Sequence, residues 1–143
     1  MLSDLERLMA VEEIKKLKAR YFRLLDAHDW DAFADVFTDD VVFDVAESSS
    51  GASTKDQFLA SVREHLTTAV SVHHGHTPEI EIVDDTSATG IWAMFDRVEP
   101  PPGSDYPVLT GAGHYHEEYR REAGQWRISR LALTRIKRET SLA

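Results

Sequence analysis

A histidine and an aspartate carry the chemistry that can be read from this sequence. His73 stands in the run Val72-His73-His74-Gly75-His76, and Asp26 closes the first long helical pattern in Leu24-Leu25-Asp26-Ala27-His28-Asp29-Trp30. An imidazole with one ring nitrogen held by a carboxylate is oriented and made more basic, so its other nitrogen can take and return a proton near neutral pH. That is general acid/base equipment, provided the fold brings two distant residues together.

Competing chemistries have weaker support. His114, His116 and Glu118 share one strand parity, and His73, His74 and His76 crowd what reads as a loop, so nitrogen and carboxylate ligands suited to zinc or iron are present. The same parity puts His114 and His116 outside the interior, and no partner that would orient them can be named, so no metal is expected. Ser48-Ser49-Ser50-Gly51 lacks the strand-turn-helix frame of a nucleophile elbow, and there is no phosphate-cradling glycine loop or dinucleotide fingerprint. His28 and His65 sit at helix ends, where the helix dipole favours a cation. Trp30, Trp92 and Trp126 read as core, with Trp92 also placed to stack on an aromatic ligand.

At 143 residues the chain fits one domain, 1–143, with a single core and at most one pocket. Sixteen Lys and Arg against 25 Asp and Glu give a net charge of −9, which disfavours nucleic acid and anionic membranes; the basic run Arg135–Arg138 lies at the C-terminal edge. The absence of cysteine excludes disulfides and thiol catalysis. No apolar run approaches membrane-span length and the N-terminus is acidic, so the cytoplasm is the expected compartment.

The elements that must position the pair follow from periodicity. Ser3 and Glu6 have capping-box spacing, and Leu5, Leu8, Ile14, Leu17, Tyr21 and Leu24 then recur at helical intervals, predicting a long amphipathic helix with a bend near Ala10. Asp29 caps a short second helix with Phe33, Val36 and Phe37 inward, and Thr54 with Gln57 caps a third. After Pro78 the period becomes two: Ile80 and Ile82, then Thr86–Glu99, Val108–Arg121 and Gln125–Arg138, the last two joined at Ala123-Gly124. Glu47–Ser53 and Glu99–Tyr106 read as loops bordering a pocket mouth. Helices followed by a mainly antiparallel sheet make an α+β domain.

Parity then sorts the strands. Leu109, Gly111, Gly113, Tyr115, Glu117 and Tyr119 form one face, whose glycines and tyrosines suit a concave surface over a cavity. Ala88, Gly90, Trp92, Met94, Asp96 and Val98 share a second inward face, with Asp96 expected at the pocket rim. Thr110, Ala112, His114, His116 and Arg120 point outward, a mix of small and polar residues suited to sheet-to-sheet contact between two copies.

Taken in order, Tyr21…Asp26-x-x-Asp29-Trp30…Phe37-Thr38-Asp39-Asp40, Val72-His73-His74-Gly75, Ala88-Thr89-Gly90-x-Trp92, Gly113-His114-Tyr115 and Trp126-Arg127-Ile128 resemble the SnoaL-like branch of the nuclear transport factor 2-like superfamily over nearly the whole chain. The resemblance implies a cone, in which a curved mixed sheet wraps helices around one deep apolar pocket, and it implies a homodimer. Among enzymes of this fold the chain is similar to scytalone dehydratase, a cofactor-free lyase. Its catalytic Asp and His fall on Asp26 and His73. Its tyrosines fall on Leu25 and near Val45, its second histidine falls near Val98, and its pocket serine and asparagine are replaced by Gly113 and Tyr115. Half of that machinery is absent, which points away from the scytalone reaction and toward a related one.

The expectation is therefore a cofactor-independent lyase or isomerase acting on a small cyclic or polyketide-like carbonyl compound. His73 and Asp26 form the acid/base pair, and Tyr21, Trp92, Met94, Asp96 and Tyr115 line the pocket, Asp96 or Tyr115 helping a hydroxyl leave. The alternative is a non-catalytic protein that binds a small apolar ligand; fold alone does not separate the two.

Overall fold

In the computed structural model, which describes residues 1–45 and 54–141, three helices pack on one five-stranded mixed sheet. Helix α1 (Asp4–Asp26) starts at the capping box of Ser3 and Glu6 and continues unbroken past Ala10. Its buried stripe of Ile14, Leu17, Tyr21, Leu24 and Leu25 supplies the centre of the core. Asp29 caps α2 (Trp30–Ala34) through Ala32 N–H, and Thr54 and Gln57 cap α3 (Lys55–Leu66) reciprocally. Phe58 of α3 stacks on Phe43 with ring centroids 3.7 Å apart, and both meet Phe37 edge-on.

The strand order is β1-β5-β4-β3-β2, with β1 (Phe37–Asp44) parallel to β5 (Gln125–Ser141) and all other pairs antiparallel. β3 (Ser87–Glu99) and β4 (Val108–Glu122) lie between β5 and β2 (Val70–Ile82). The β4–β5 turn places Ala123 and Gly124 at positive φ, as expected of a tight hairpin.

Two strands depart from the expected pattern. Phe37 opens β1 rather than closing α2: Phe37 and Thr38 are both buried and Asp39 and Asp40 both exposed, because the register against β5 shifts between Phe37 and Val42. That irregularity hides the period of two. The stretch around His73 is a strand, not a loop. Its polarity is inverted, with Val70 and Val72 exposed while Ser71 and His73 turn inward. β2 passes through Pro78, with a register shift between His76 and Glu79 and Thr77 at positive φ, which an edge strand tolerates. The expected loop at Glu47–Ser53 and the serines 48–50 lie outside the described residues. No helix among the described residues is long and apolar enough to cross a membrane.

Candidate functional site

The last residue of α1 and the inward face of edge strand β2 meet. Asp26 accepts a hydrogen bond from His73 Nδ1 at 2.7 Å on Oδ1 and one from the His73 backbone N–H at 2.9 Å on Oδ2; Ser71 Oγ donates to Oδ1 at 3.0 Å. With a carboxylate as the acceptor at Nδ1, the neutral form of the His73 ring carries its proton there and its lone pair on Nε2. Ser71 contributes a role that sequence reasoning missed, although its parity with His73 on β2 would have suggested it once the strand was recognised.

Beside the pair lies an open cleft of about 440 Å³ lined by Ala19, Phe22, Arg23, His74 and His76 together with Asp26 and His73. Phe22 is its apolar wall and Arg23 its cation. A side chain at position 75 would meet Phe22 Cζ at 2.6 Å, so Gly75 is the socket that seats this ring.

Tyr21, Trp92, Met94, Asp96 and Tyr115 all face inward, as parity implied, and all are buried. None is among the residues that line the cleft; Tyr21 and Tyr115 pack on Phe22 and on each other. Asp96 is not at a rim: Arg135 holds it with two bonds of 2.9 Å, both side chains being 6% exposed. The inward glycines make room for the protein's own atoms. A Cβ at Gly90 would meet the Tyr119 hydroxyl, one at Gly111 the Arg135–Asp96 pair, and one at Gly113 the backbone of Thr134 where β5 bulges. Burial holds the Tyr21, Tyr115 and Tyr119 phenols well above their ordinary range, so they stay protonated and serve as donors.

A polar network also occupies this interior. Lys18 Nζ, fully buried, donates to Glu117 Oε2 at 2.6 Å; Tyr119 donates to Glu117 Oε1 at 2.6 Å, and Trp92 Nε1 to the Tyr119 hydroxyl at 2.8 Å. The ammonium lies 3.6 Å and 3.8 Å from the ring centres of Tyr21 and Tyr115. Burial pulls Lys18 down to about 8, with Glu117 opposing that shift. Lys18 was legible in principle: four residues from Ile14 and three from Tyr21, it falls on the buried stripe of α1.

The histidines of β2 do not cluster. His73 faces the core side, whereas His74 and His76 are exposed and meet each other edge-on. His114 and His116 lie on the outer side of β4, His116 bonding Thr134 Oγ1 at 3.0 Å. Among the described residues, no three His, Asp or Glu side chains are arranged to hold a metal ion.

Residues 6–132 match the model of the SnoaL-like domain. The chain belongs to the SnoaL-like family. The chain is 25% identical over 134 residues to a probable cyclase of Gibberella zeae, covering 86% of this chain and 89% of that one. Two solved structures share the fold. A putative scytalone dehydratase from Novosphingobium aromaticivorans superposes with a TM-score of 0.81 at 19% identity, covering 95% of this chain and 90% of that one. A type 2 hexachlorocyclohexane dehydrochlorinase superposes with a TM-score of 0.83 at 21% identity, covering 99% and 95%. The α+β architecture is thus shared with these two structures, and in this chain the Asp26–His73 pair stands at the junction of α1 and edge strand β2.

Proposed function

We propose that this SnoaL-like protein is a cofactor-independent lyase or isomerase whose general base is His73. The observation that carries the reading is the pair of hydrogen bonds that His73 donates from its ring and its backbone to Asp26, beside an open cleft. A small cyclic carbonyl compound lies against Phe22 with an α-carbon at Nε2. His73 takes the α-proton, the C–H electron pair moves into the enolate, and Arg23 faces the developing oxyanion. In a lyase the enolate expels a β-hydroxyl, which leaves as water with the proton from the imidazolium. In an isomerase that proton returns to a different carbon. Names such as cyclase, dehydratase and dehydrochlorinase among the similar proteins support proton abstraction from carbon as the shared theme.

In this reading Tyr21, Trp92, Met94, Asp96 and Tyr115 form the wall behind Phe22 and shape the cleft through it. We also propose a homodimer joined through the outer sheet face, where Ile91 and Phe95 are 38% and 41% exposed next to Ala112 and His116.

A second reading, a non-catalytic protein binding a small apolar ligand, draws on the filled interior, since the inward glycines are taken up by Tyr119, Arg135, Asp96 and β5 backbone. Cyclic ketones and β-hydroxy ketones incubated in D₂O separate the two. Enzyme-dependent loss of α-hydrogen signals or of water, abolished in His73→Ala, is expected for the enzyme. Saturable binding with exchange no faster than in His73→Ala would favour the binding protein.

A further inference from the structure

A second groove, of about 630 Å³, runs along the other side of α1, between that helix, the end of α2 and the β4–β5 turn. Lys16, Arg20 and Arg23 line it from one face of α1, at spacings of four and three residues, and Arg127 approaches from β5. Arg127 is engaged through Nε with the Asp35 carbonyl at 3.1 Å and through Nη2 with Gln125 Oε1 at 3.2 Å. Lys16, Arg20 and Arg23 have no ion-pair partner among the described residues. Two carboxylates, Glu13 and Asp35, also line the groove, so four cations face two anions on a chain of net charge −9.

Like charges three and four residues apart on a helix repel, and Glu13 and Asp35 offset that repulsion only in part, since neither forms an ion pair with Lys16, Arg20 or Arg23. The groove also contains a buried donor. Trp126 is 4% exposed and lines it, and its indole N–H is shielded from solvent without an acceptor among the described residues. A plain solvated helix face does not combine three cations that lack ion-pair partners with a buried unpaired N–H beneath them, a group that normally finds a partner.

We infer that this groove binds a small phosphate-bearing ligand, of the length of a di- or triphosphate. From Lys16 to Arg23 the helix rises roughly 10 Å, so successive phosphoryl groups can each meet a cation. Guanidinium forks match phosphate oxygens in pairs, and the Trp126 ring in the groove lining lies close enough to report their binding. Arg23 borders both clefts and is shared with the Asp26–His73 reading, whereas Lys16 and Arg20 belong to this groove alone and carry the test.

Two-dimensional ¹H–¹⁵N NMR at physiological salt tests the inference, with the Trp126 indole signal assigned by its loss in Trp126→Phe. Tripolyphosphate and ATP are expected to move that signal saturably, with orthophosphate at least tenfold weaker. The double variant Lys16→Glu/Arg20→Glu, in which both changes are on the exposed side of α1, is expected to weaken binding at least tenfold while leaving the His73 ring signals unchanged. Equal affinity for tripolyphosphate and ATP would place recognition in the phosphate chain; tighter ATP binding would identify a nucleotide as the ligand. An unmoved Trp126 signal, or binding in Lys16→Glu/Arg20→Glu as tight as in the wild type, would overturn the site.

Discussion

Asp26 grips His73 at two points, the ring Nδ1 and the backbone amide, so one carboxylate sets both the tautomer of the imidazole and the position of the strand that carries it. Asp26→Ala is expected to release the ring. The downfield Nδ1–H proton of His73 should vanish from NMR spectra, and ¹⁵N shifts should report mixed tautomers instead of a lone pair fixed on Nε2. Turnover of any carbonyl substrate found should fall by roughly 10²–10⁴ in Asp26→Ala and His73→Ala alike. A His73 ring with unaltered ¹⁵N shifts in Asp26→Ala would contradict the assigned role.

Lys18 and Glu117 are expected to behave as a unit. Removing one partner strands a buried charge, and Lys18→Met or Glu117→Gln alone should cost about 3–5 kcal/mol in urea unfolding. The double variant Lys18→Met/Glu117→Gln should cost clearly less than the sum of the two.

The same pair gives a pH dependence. Lys18 loses its proton near 8 in the folded state against 10.5 ordinarily, so between these values the unfolded chain binds more protons and the folded state gains stability as pH rises. The Lys18 contribution is fully present above about 10.5 and is lost as pH falls through 8. Measured against the double variant, wild-type unfolding free energy should therefore climb from pH 8 toward pH 10; a flat difference would show that the lysine is not depressed.

Gly75 and Gly113 predict opposite responses to alanine. At position 75 the new methyl meets the far end of a side chain, so Gly75→Ala should cost only about 1 kcal/mol while displacing Phe22 and altering ligand binding in the cleft. At position 113 it meets the Thr134 carbonyl and Arg135 Cα, which cannot swing away. Gly113→Ala should then cost about 3 kcal/mol or more, read from the thermal midpoint.

Light scattering at micromolar concentration should return twice the 16.2 kDa chain mass if the outer sheet face joins two copies, and Ala112→Glu should halve it. A monomer at every concentration would remove the dimer and leave Ile91 and Phe95 as isolated exposed residues.

The helices were legible because their information is local: Ser3, Asp29 and Thr54 each act within a turn of their own position, and all three caps form as their spacing indicates. The parity of β3 and β4 was legible for the same reason, since side chains alternate whatever the strand pairs with. The length of β2 was not. Its inward residues serve the Asp26 contact rather than the core, so its hydrophobic pattern runs backwards. Nor was the occupancy of the interior legible. Glycines on a concave face indicate space, but only the register of β5 against β4 shows that Arg135 and a bulged backbone fill it.

The bond from the His73 amide to Asp26 also acts on solubility. β2 ends the sheet, and an N–H directed away from its neighbour is a place where a strand from another molecule can dock. Asp26 occupies that donor with a negatively charged acceptor, and Pro78, farther along the same strand, supplies no N–H at all. The carboxylate that orients the imidazole is thus also a gatekeeper against edge-to-edge polymerisation. Any redesign that neutralises it should be screened for fibrillar aggregates as well as for lost turnover.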